Sequence, residues 1–151
     1  MIFLTDQQKQ RYKIMSRESC ERYCKQKHQK SSIIISIKSS WDRIVPKIIM
    51  NSTNLVKDVL FLSFDDIDME DNPKFAMTEK DGKKIADFVN QYYASVDQII
   101  AHCDGGISRS AGVIAAIMRV KEGKDDTVFN SRTKHPNMTC YLMTLKGFQY
   151  I

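Results

Sequence analysis

The sequence predicts an α/β protein whose mainly parallel central sheet is flanked by helices. Two observations predict this class. Nearly continuous runs of β-branched and other apolar residues occupy positions 32–37, 59–64 and 98–101, a pattern typical of strands that are covered on both faces. Segments with helical periodicity alternate with these runs, as in parallel sheets. A ligand-binding loop in such a fold is expected at the carboxyl end of a strand.

The length and composition indicate one ordinary globular domain over residues 1–151, with the polar segment 1–30 as part of it. The hydrophobic fraction of 42% and the charged fraction of 27% favour a soluble protein. Residues 2–4 are followed at once by polar residues, and no apolar run approaches the ~20 residues of a membrane span. We therefore expect neither a signal peptide nor a membrane partner. The net charge of +5 is more typical of solubility than of nucleic-acid binding.

The cysteines do not have the spacing of a disulfide framework, which favours a reducing, cytoplasmic setting. Cys20, Cys24 and His28 share one face of a helix that is predicted to follow an N-cap at Ser16 and to run to about residue 27. Three ligands along two turns of one helix cannot surround an ion without others. We therefore predict buried or half-buried thiols and no metal site.

Besides the helix after Ser16, the first half of the chain is predicted to contain three strands and a loop. Residues 12–15 are compatible with a short strand, and residues 32–37 and 59–64 read as buried strands. Trp41 follows in a polar loop, where it either covers the edge of a pocket or anchors the core. Residues 65–73 contain five acidic residues and a proline and predict a loop.

The second half is predicted to contain the central strand, at residues 98–101, and several helices. Thr78 opens a helix that runs to about residue 93. Residues 111–120 are apolar almost all round, which predicts a buried helix that ends at Gly123. Two further helices are predicted at residues 125–130 and 138–148.

Residues 101–112, AHCDGGISRSAG, carry the chemistry. A strand, a tight loop and a helix in succession point backbone N–H groups and the positive end of the helix into one hollow. Gly105 and Gly106 let the loop curl without Cβ clashes. Such a hollow suits a tetrahedral oxyanion. It would stabilise the thiolate of Cys103, and the planar fork of Arg109 can hold two phosphate oxygens.

The order His-Cys-(five residues)-Arg-Ser, with a glycine three positions after the cysteine, resembles the active-site loop of the cysteine-dependent protein tyrosine and dual-specificity phosphatases. The form HCDGGISRSAG is most similar to that of small single-domain members from bacteria and viruses. The resemblance spans roughly residues 32–148 and is weak outside the loop. It implies the phosphatase fold and hydrolysis of phosphomonoesters without a cofactor or a metal.

The resemblance assigns roles within the loop. Cys103 is the nucleophile that forms a cysteinyl-phosphate, and Arg109 binds the phosphate. Ser110 donates a hydrogen bond to the sulfur, or caps the helix, or does both. His102 ends a buried strand, so it is expected to orient the loop and not to transfer a proton in the reaction. The backbone N–H groups that are expected to bind phosphate belong to Asp104, Gly105, Gly106, Ile107, Ser108 and Arg109.

The leaving group needs a proton from a carboxylic acid, which the resemblance places on the loop at residues 65–73. The phrase Phe64–Asp65–Asp66 is similar to the Phe-Asp-Asp of the regenerating-liver phosphatases, in which the second aspartate is the acid. We therefore predict Asp66, with Asp68 and Asp65 as alternatives and Asp71 behind them. The loop lacks a Trp-Pro-Asp tripeptide, so the identity of the acid stays open at this point.

The expected substrate is a phosphotyrosine protein or peptide, with phosphoserine and phosphothreonine hydrolysed more weakly. The loop at residues 104–108, which we call the phosphate loop, contains no lysine. The carboxylate of Asp104 disfavours polyanions such as phosphoinositides. Four alternatives stay open: a phosphoinositide phosphatase, an RNA 5′-phosphatase of the same fold, a rhodanese-like sulfurtransferase, and an inactive phosphate-binding module.

Overall fold

A parallel four-stranded sheet forms the centre of the molecule, as seen in a computed structural model that describes residues 10–151. Its strands are β1 (Tyr12–Ser16), β2 (Ser32–Lys38), β3 (Val56–Ser63) and β4 (Gln98–Cys103). They lie in the order β1-β4-β2-β3, and every neighbouring pair is parallel. The predicted fold class is therefore confirmed. Residues 1–9 of the polar N-terminal segment lie outside the described residues.

Helices cover both faces of the sheet. The described helices are α1 (Arg17–Cys24), α2 (Glu79–Tyr92), α3 (Arg109–Glu122), α4 (Asp126–Phe129) and α5 (Met138–Gly147). Helices α2, α3 and α5 pack on one face of the sheet and form a hydrophobic core with it. Helix α1 packs on the other face and forms a second, smaller core. The first helix ends at Cys24 rather than near residue 27. None of the helices formed by residues 10–151 has the length and hydrophobicity that crossing a membrane requires.

The two interior strands, β2 and β4, are buried on both faces. Ile34 and Ile100 are register partners and face the core beneath α1. The alternate residues Ile33 and Ile99 face the opposite core. Because successive side chains of a strand point to opposite faces, only a strand covered on both sides can be continuously apolar. This explains the run of isoleucines in β2.

Strand β3 differs from the prediction because it lies at the edge of the sheet. It begins at Val56, earlier than expected, and ends at Ser63. Val56 and Leu62 are buried, whereas Phe61 is 50% exposed. An edge strand has a neighbour on one side only, so the predicted complete burial is wrong. Trp41 is 72% exposed, so it does not anchor the core.

Helix α5 is held against α2 by close contact of their backbones. A Cβ atom at Gly82 would lie 2.0 Å from the carbonyl oxygen of Met143, and one at Gly147 would lie 2.1 Å from the carbonyl oxygen of Gly82. Only glycine permits this approach. The packing fixes α5, whose N-terminus lies beside the loop that follows β4.

Candidate active site

The turn between β4 and α3 has the predicted strand–loop–helix arrangement. β4 ends at Cys103 and α3 begins at Arg109, so residues 104–108 form the loop. Gly106 has a φ of 67°, and a Cβ atom there would lie 2.5 Å from the backbone of Met15. This position therefore requires glycine. A Cβ atom at Gly105 would make only an ordinary contact of 3.8 Å with Ile107, so the expected need for glycine at this second position is wrong.

The carbonyl groups of the loop accept hydrogen bonds from outside it. The Arg17 N–H donates to the Asp104 carbonyl at 3.2 Å, and the His135 N–H donates to that of Ile107 at 2.9 Å. The Lys134 ammonium donates to the carbonyl of Gly106 at 2.6 Å. The C=O and N–H of one planar peptide unit point in opposite directions. Carbonyls that face outward therefore turn the loop N–H groups inward, toward the space above Cys103, where they favour an anion.

Cys103 and Ser110 are in contact beneath the loop. Their Sγ and Oγ atoms are 3.0 Å apart, and both residues are buried. The N-cap of α3 is Ser108, so the expectation that Ser110 caps this helix is wrong. Ser110 lies inside the helix, and its hydroxyl contacts the sulfur.

Arg109 is fixed by three hydrogen bonds, although it carries five N–H donors. Nη1 donates to the hydroxyl of Ser39 at 3.0 Å and to the carbonyl of Phe64 at 2.9 Å. Nη2 donates to the carboxylate of Asp104 at 3.2 Å. Nε is buried and has no partner among the described residues. Nε and Nη2 share one edge of the guanidinium, so the Nε–H and the second N–H of Nη2 are the donors left for bidentate recognition of an oxyanion.

Asp104 faces Arg109 as an ion pair. Its Oδ2 atom also accepts a hydrogen bond of 3.2 Å from Ser39, while 40% of the Asp104 side chain stays exposed. The carboxylate thus offsets part of the arginine charge at the mouth of the loop. Asp104 therefore acts on an anion in two opposite ways. Its backbone belongs to the loop that favours an anion, whereas its carboxylate repels one.

His102 is completely buried and lies behind the loop. Its Nδ1 is 3.3 Å from the carbonyl of Cys103, and its Nε2 is 2.6 Å from the hydroxyl of Ser36. Since a carbonyl can only accept, Nδ1 carries the proton and Nε2 accepts from Ser36. Burial lowers the pKa of His102, which favours this neutral form. The side chain contacts the neighbouring strand β2.

Asp66 is the predicted acid whose side chain is hydrogen-bonded to the phosphate loop. Its Oδ1 accepts from the hydroxyl of Ser108 at 2.7 Å and from the amide of Asn137 at 3.0 Å. Asp66 is exposed. The structure thus brings residues 66 and 108, one from each loop, into direct contact.

The other predicted acids have different surroundings. Asp65 accepts two hydrogen bonds of 2.7 Å from the backbone and hydroxyl of Ser40, so its carboxylate ties two loops together. The backbone carbonyl of Asp68 accepts from the N–H of Asp71 at 3.1 Å in an exposed turn. The hydrogen bonds therefore join Asp66, and not these three, to the phosphate loop.

Sequence reasoning missed Ser39 and Asn137. Ser39 follows the last residue of β2, at the carboxyl edge where parallel strands present ligand-binding residues. Asn137 precedes α5 and caps it, accepting a hydrogen bond of 2.9 Å from the Cys140 N–H. A strand end and an N-cap signal are both visible in the sequence, but neither tells which distant residue is contacted.

The remaining cysteines are all buried free thiols. Cys20 and Cys24 are buried in the core beneath α1, on the sheet face opposite Cys103. Cys140 is buried on the same side as Cys103, and burial raises the pKa of its thiol. His28 lies beyond the end of α1 and stacks on Tyr23, with ring centroids 3.7 Å apart. Within residues 10–151, no cluster of three or more His, Cys, Asp or Glu side chains could hold a metal ion.

No protein family and no curated protein matches the chain by sequence. Solved structures do match it. A variant of human DUSP28 is 13% identical with a TM-score of 0.63, covering 93% of this chain and 91% of that one. Tk-PTP in the active form is 15% identical with a TM-score of 0.56, covering 92% of this chain and 90% of that one.

A third match is the human tyrosine phosphatase-like serine/threonine/tyrosine-interacting protein. It is 20% identical with a TM-score of 0.52, and the match covers 78% of this chain and 76% of that one. The chain therefore has the fold of the cysteine-dependent protein tyrosine and dual-specificity phosphatases.

Proposed function

We propose that the chain is a cysteine-dependent phosphatase of the protein tyrosine and dual-specificity family, which hydrolyses phosphomonoesters through a cysteinyl-phosphate. The observation that carries this proposal is the immobilised Arg109 beside Cys103. Its guanidinium is held from behind by Ser39 and Phe64, while a buried Nε donor stays without a partner among the described residues. Phosphate is the ligand class that matches a planar bidentate donor at a helix N-terminus.

In the first step, the Cys103 thiolate attacks phosphorus in line and forms the S–P bond. The bond between phosphorus and the ester oxygen breaks, and the leaving oxygen takes a proton from the carboxyl group of Asp66. Arg109 and the inward N–H groups of the loop stabilise the negative charge on the equatorial oxygens, which is greatest in the transition state.

In the second step, water attacks the phosphorus of the cysteinyl-phosphate. Asp66, now a carboxylate, accepts a proton from that water, and the S–P bond breaks to release inorganic phosphate and the thiolate. Ser110, 3.0 Å from the sulfur, donates a hydrogen bond that stabilises the departing thiolate.

The proposed substrates are phosphotyrosine proteins or peptides, with phosphoserine and phosphothreonine hydrolysed more weakly. The negative side chain of Asp104 supports this class over phosphoinositides and RNA 5′-phosphates. The carboxylate is partly exposed at the loop and repels additional phosphates. Exposed apolar side chains at Ile107 and Trp41 suit a protein partner better than a strongly hydrated polyanion.

A non-enzymatic phosphate-binding module is the second candidate. One structurally similar protein is named a tyrosine phosphatase-like interacting protein, so the fold alone does not decide catalysis. The retention of Cys103, Arg109 and a carboxylate in contact with the loop supports an enzyme. The similarity to phosphatase structures likewise favours phosphate hydrolysis over a rhodanese-like sulfur transfer.

Turnover of para-nitrophenyl phosphate tests the proposal. Cys103→Ser is expected to abolish turnover and to retain binding of a phosphopeptide, because the oxyanion cradle remains. Arg109→Lys is expected to lose most activity as well, since a point charge cannot replace a bidentate fork. A Cys103→Ser protein that keeps more than a few per cent of activity would refute the covalent mechanism. Phosphopeptide binding without turnover by the wild-type protein would support the module, and release of sulfite from thiosulfate in the presence of cyanide would support the sulfurtransferase.

A further inference from the structure

Asn137 lies where α5 meets the phosphate loop and the loop at residues 65–73, which we call the acid loop. It is buried, with only 8% of its surface exposed. Its side-chain oxygen accepts a hydrogen bond of 2.9 Å from the Cys140 N–H and so caps α5. Because a backbone N–H can only donate, this contact fixes which end of the amide is oxygen. The NH₂ group must therefore face away from the helix.

The NH₂ group of Asn137 faces the acid loop. It donates to Oδ1 of Asp66 at 3.0 Å and to the carbonyl of Ile67 at 3.3 Å. The hydroxyl of Ser108 donates to the same Oδ1 atom at 2.7 Å. Two donors thus converge on one oxygen of the carboxyl group. The amide NH₂ can only donate, so the protonated acid keeps both hydrogen bonds only when its proton is on Oδ2.

The backbone of Asn137 is fixed as well. Its N–H donates to the carbonyl of Ser108 at 2.9 Å. Its own carbonyl lies against Gly112 of α3, where a Cβ atom would come within 2.5 Å. A short side chain on a backbone held in this way has little freedom, so its amide is a rigid reference point for Asp66.

We propose that Asn137 is a positioning residue that orients the Asp66 carboxyl group over the phosphate loop and keeps its transferable proton on Oδ2. The inference rests on the proposed function, since it concerns the proton donor of that reaction. Ser108 alone cannot fix the carboxyl plane, because a single hydrogen bond leaves rotation about it. The second donor, from a different element, removes that rotation.

The decisive variant is Asn137→Ser, because serine is as good an N-cap as asparagine but lacks the amide donor. Turnover is measured on phenyl phosphate, whose leaving group needs the proton, and on para-nitrophenyl phosphate, whose far more acidic phenol needs it less. We expect kcat/KM for phenyl phosphate to fall about 10- to 100-fold, the range for a small misplacement of a reacting group. The loss on the nitrophenyl ester is expected to be several times smaller. Inhibition by inorganic phosphate is expected to stay unchanged.

Two controls separate positioning from stability. Thr78→Ala removes the N-cap of α2, whose side-chain hydrogen bonds go to Asp81 and not to Asp66 or Asn137, and is expected to lower Tm without changing the ratio of the two substrates. In an Asp66→Asn background, Asn137→Ser is expected to cause little further loss, because its target is already gone.

Each outcome bears on the inference. Equal losses on both esters in Asn137→Ser, or an undiminished further loss in the Asp66→Asn background, would overturn the positioning role while leaving the phosphatase proposal intact. A wild-type protein that hydrolyses neither ester would overturn the proposed function itself, and with it this role. A larger loss on phenyl phosphate that disappears in the Asp66→Asn background would support both.

Discussion

Asp65 and Asp66 are neighbours in the chain, yet their carboxylates have different partners. Asp66 accepts from Ser108 of the phosphate loop, and Asp65 accepts from Ser40. At the scale of single residues, this difference supports Asp66 as the proposed proton donor, whereas the Asp65 carboxylate joins two loops. Adjacent carboxylates thus acquire different surroundings because successive side chains turn in different directions.

Asp66→Asn is expected to lower kcat for phenyl phosphate by roughly 10²-fold or more, since an amide cannot supply the proton. The loss is expected to shrink on para-nitrophenyl phosphate. Asp68→Asn serves as the matched control in the same loop, with little expected change. An equal loss of Asp66→Asn on both esters, or a leaving-group effect in Asp68→Asn instead, would contradict the assignment.

We expect His102 to make the stability of the folded protein depend on pH. Its folded pKa is lowered by burial, so the unfolded state binds more protons below the ordinary histidine pKa of about 6.5. Its stabilising contribution is complete above that pH and is lost as the pH falls toward the lower folded pKa. We expect Tm to drop on acidification from pH 7, and His102→Gln to show a shallower drop in this window. Identical slopes for the wild type and His102→Gln would exclude His102 as the source.

At the scale of elements, the phosphate loop depends on its contact with the end of β1. Gly106 adopts a positive φ, and its Cα lies too close to the Met15–Ser16 backbone for any side chain. The neighbouring strands β1 and β4 pair in register up to Ser16 and Cys103. A side chain at position 106 would therefore push the loop and the edge strand apart.

Gly106→Ala is expected to destabilise the protein by at least about 1–2 kcal/mol, through both backbone strain and the clash with β1. This corresponds to several degrees in Tm, measured by thermal unfolding. Gly105→Ala is the matched control, because its Cβ would make only a 3.8 Å contact with Ile107, so its Tm is expected to stay close to wild type. A similar drop for both variants would show that the positive φ and the clash are not responsible.

At the scale of the whole molecule, charge is distributed in two opposing ways. The net charge of +5 attracts anions from a distance, whereas Asp104 places a negative group against Arg109 at the loop itself. Long-range attraction is screened by salt within about 10 Å, so the local carboxylate is expected to dominate the choice of substrate.

We expect a phosphate-release panel to favour phosphotyrosine peptides over phosphoserine and phosphothreonine peptides, phosphoinositides and RNA 5′-triphosphate. Asp104→Asn is expected to raise the relative rate on a phosphoinositide by about fivefold, which is about 1 kcal/mol of repulsion. Asp42→Asn is a control outside the loop that removes the same charge near Arg17. A clear wild-type preference for a phosphoinositide would contradict the proposed substrate class, and an equal effect of the two variants would contradict the local role of Asp104.

Much of the fold was predictable because its signals are local. The isoleucines of β2 indicate a strand covered on both faces, and the Thr78 cap and the apolar stripe after it predict α2 closely. The burial of β3 was predicted wrongly because its apolar residues are nearly continuous although it lies at the sheet edge. Sheet order is not written in the composition of one strand, since it depends on which neighbours pair with it.

The sequence by itself determined the loop from Cys103 to Ser110, because strand end, positive-φ glycine, arginine and helix start all lie within a few residues and are fixed by local backbone chemistry. Only the tertiary structure decided the partners of that loop. Ser39 reaches Arg109 across 70 positions, Asp66 reaches Ser108 across 42, and Asn137 reaches Asp66 across 71. Contacts at such separations follow from the pairing of parallel strands and the packing of α5. Together these bring segments that are far apart in the sequence to one edge of the sheet. Neither the periodicity nor the spacing of residues along the chain predicts which of these segments come into contact.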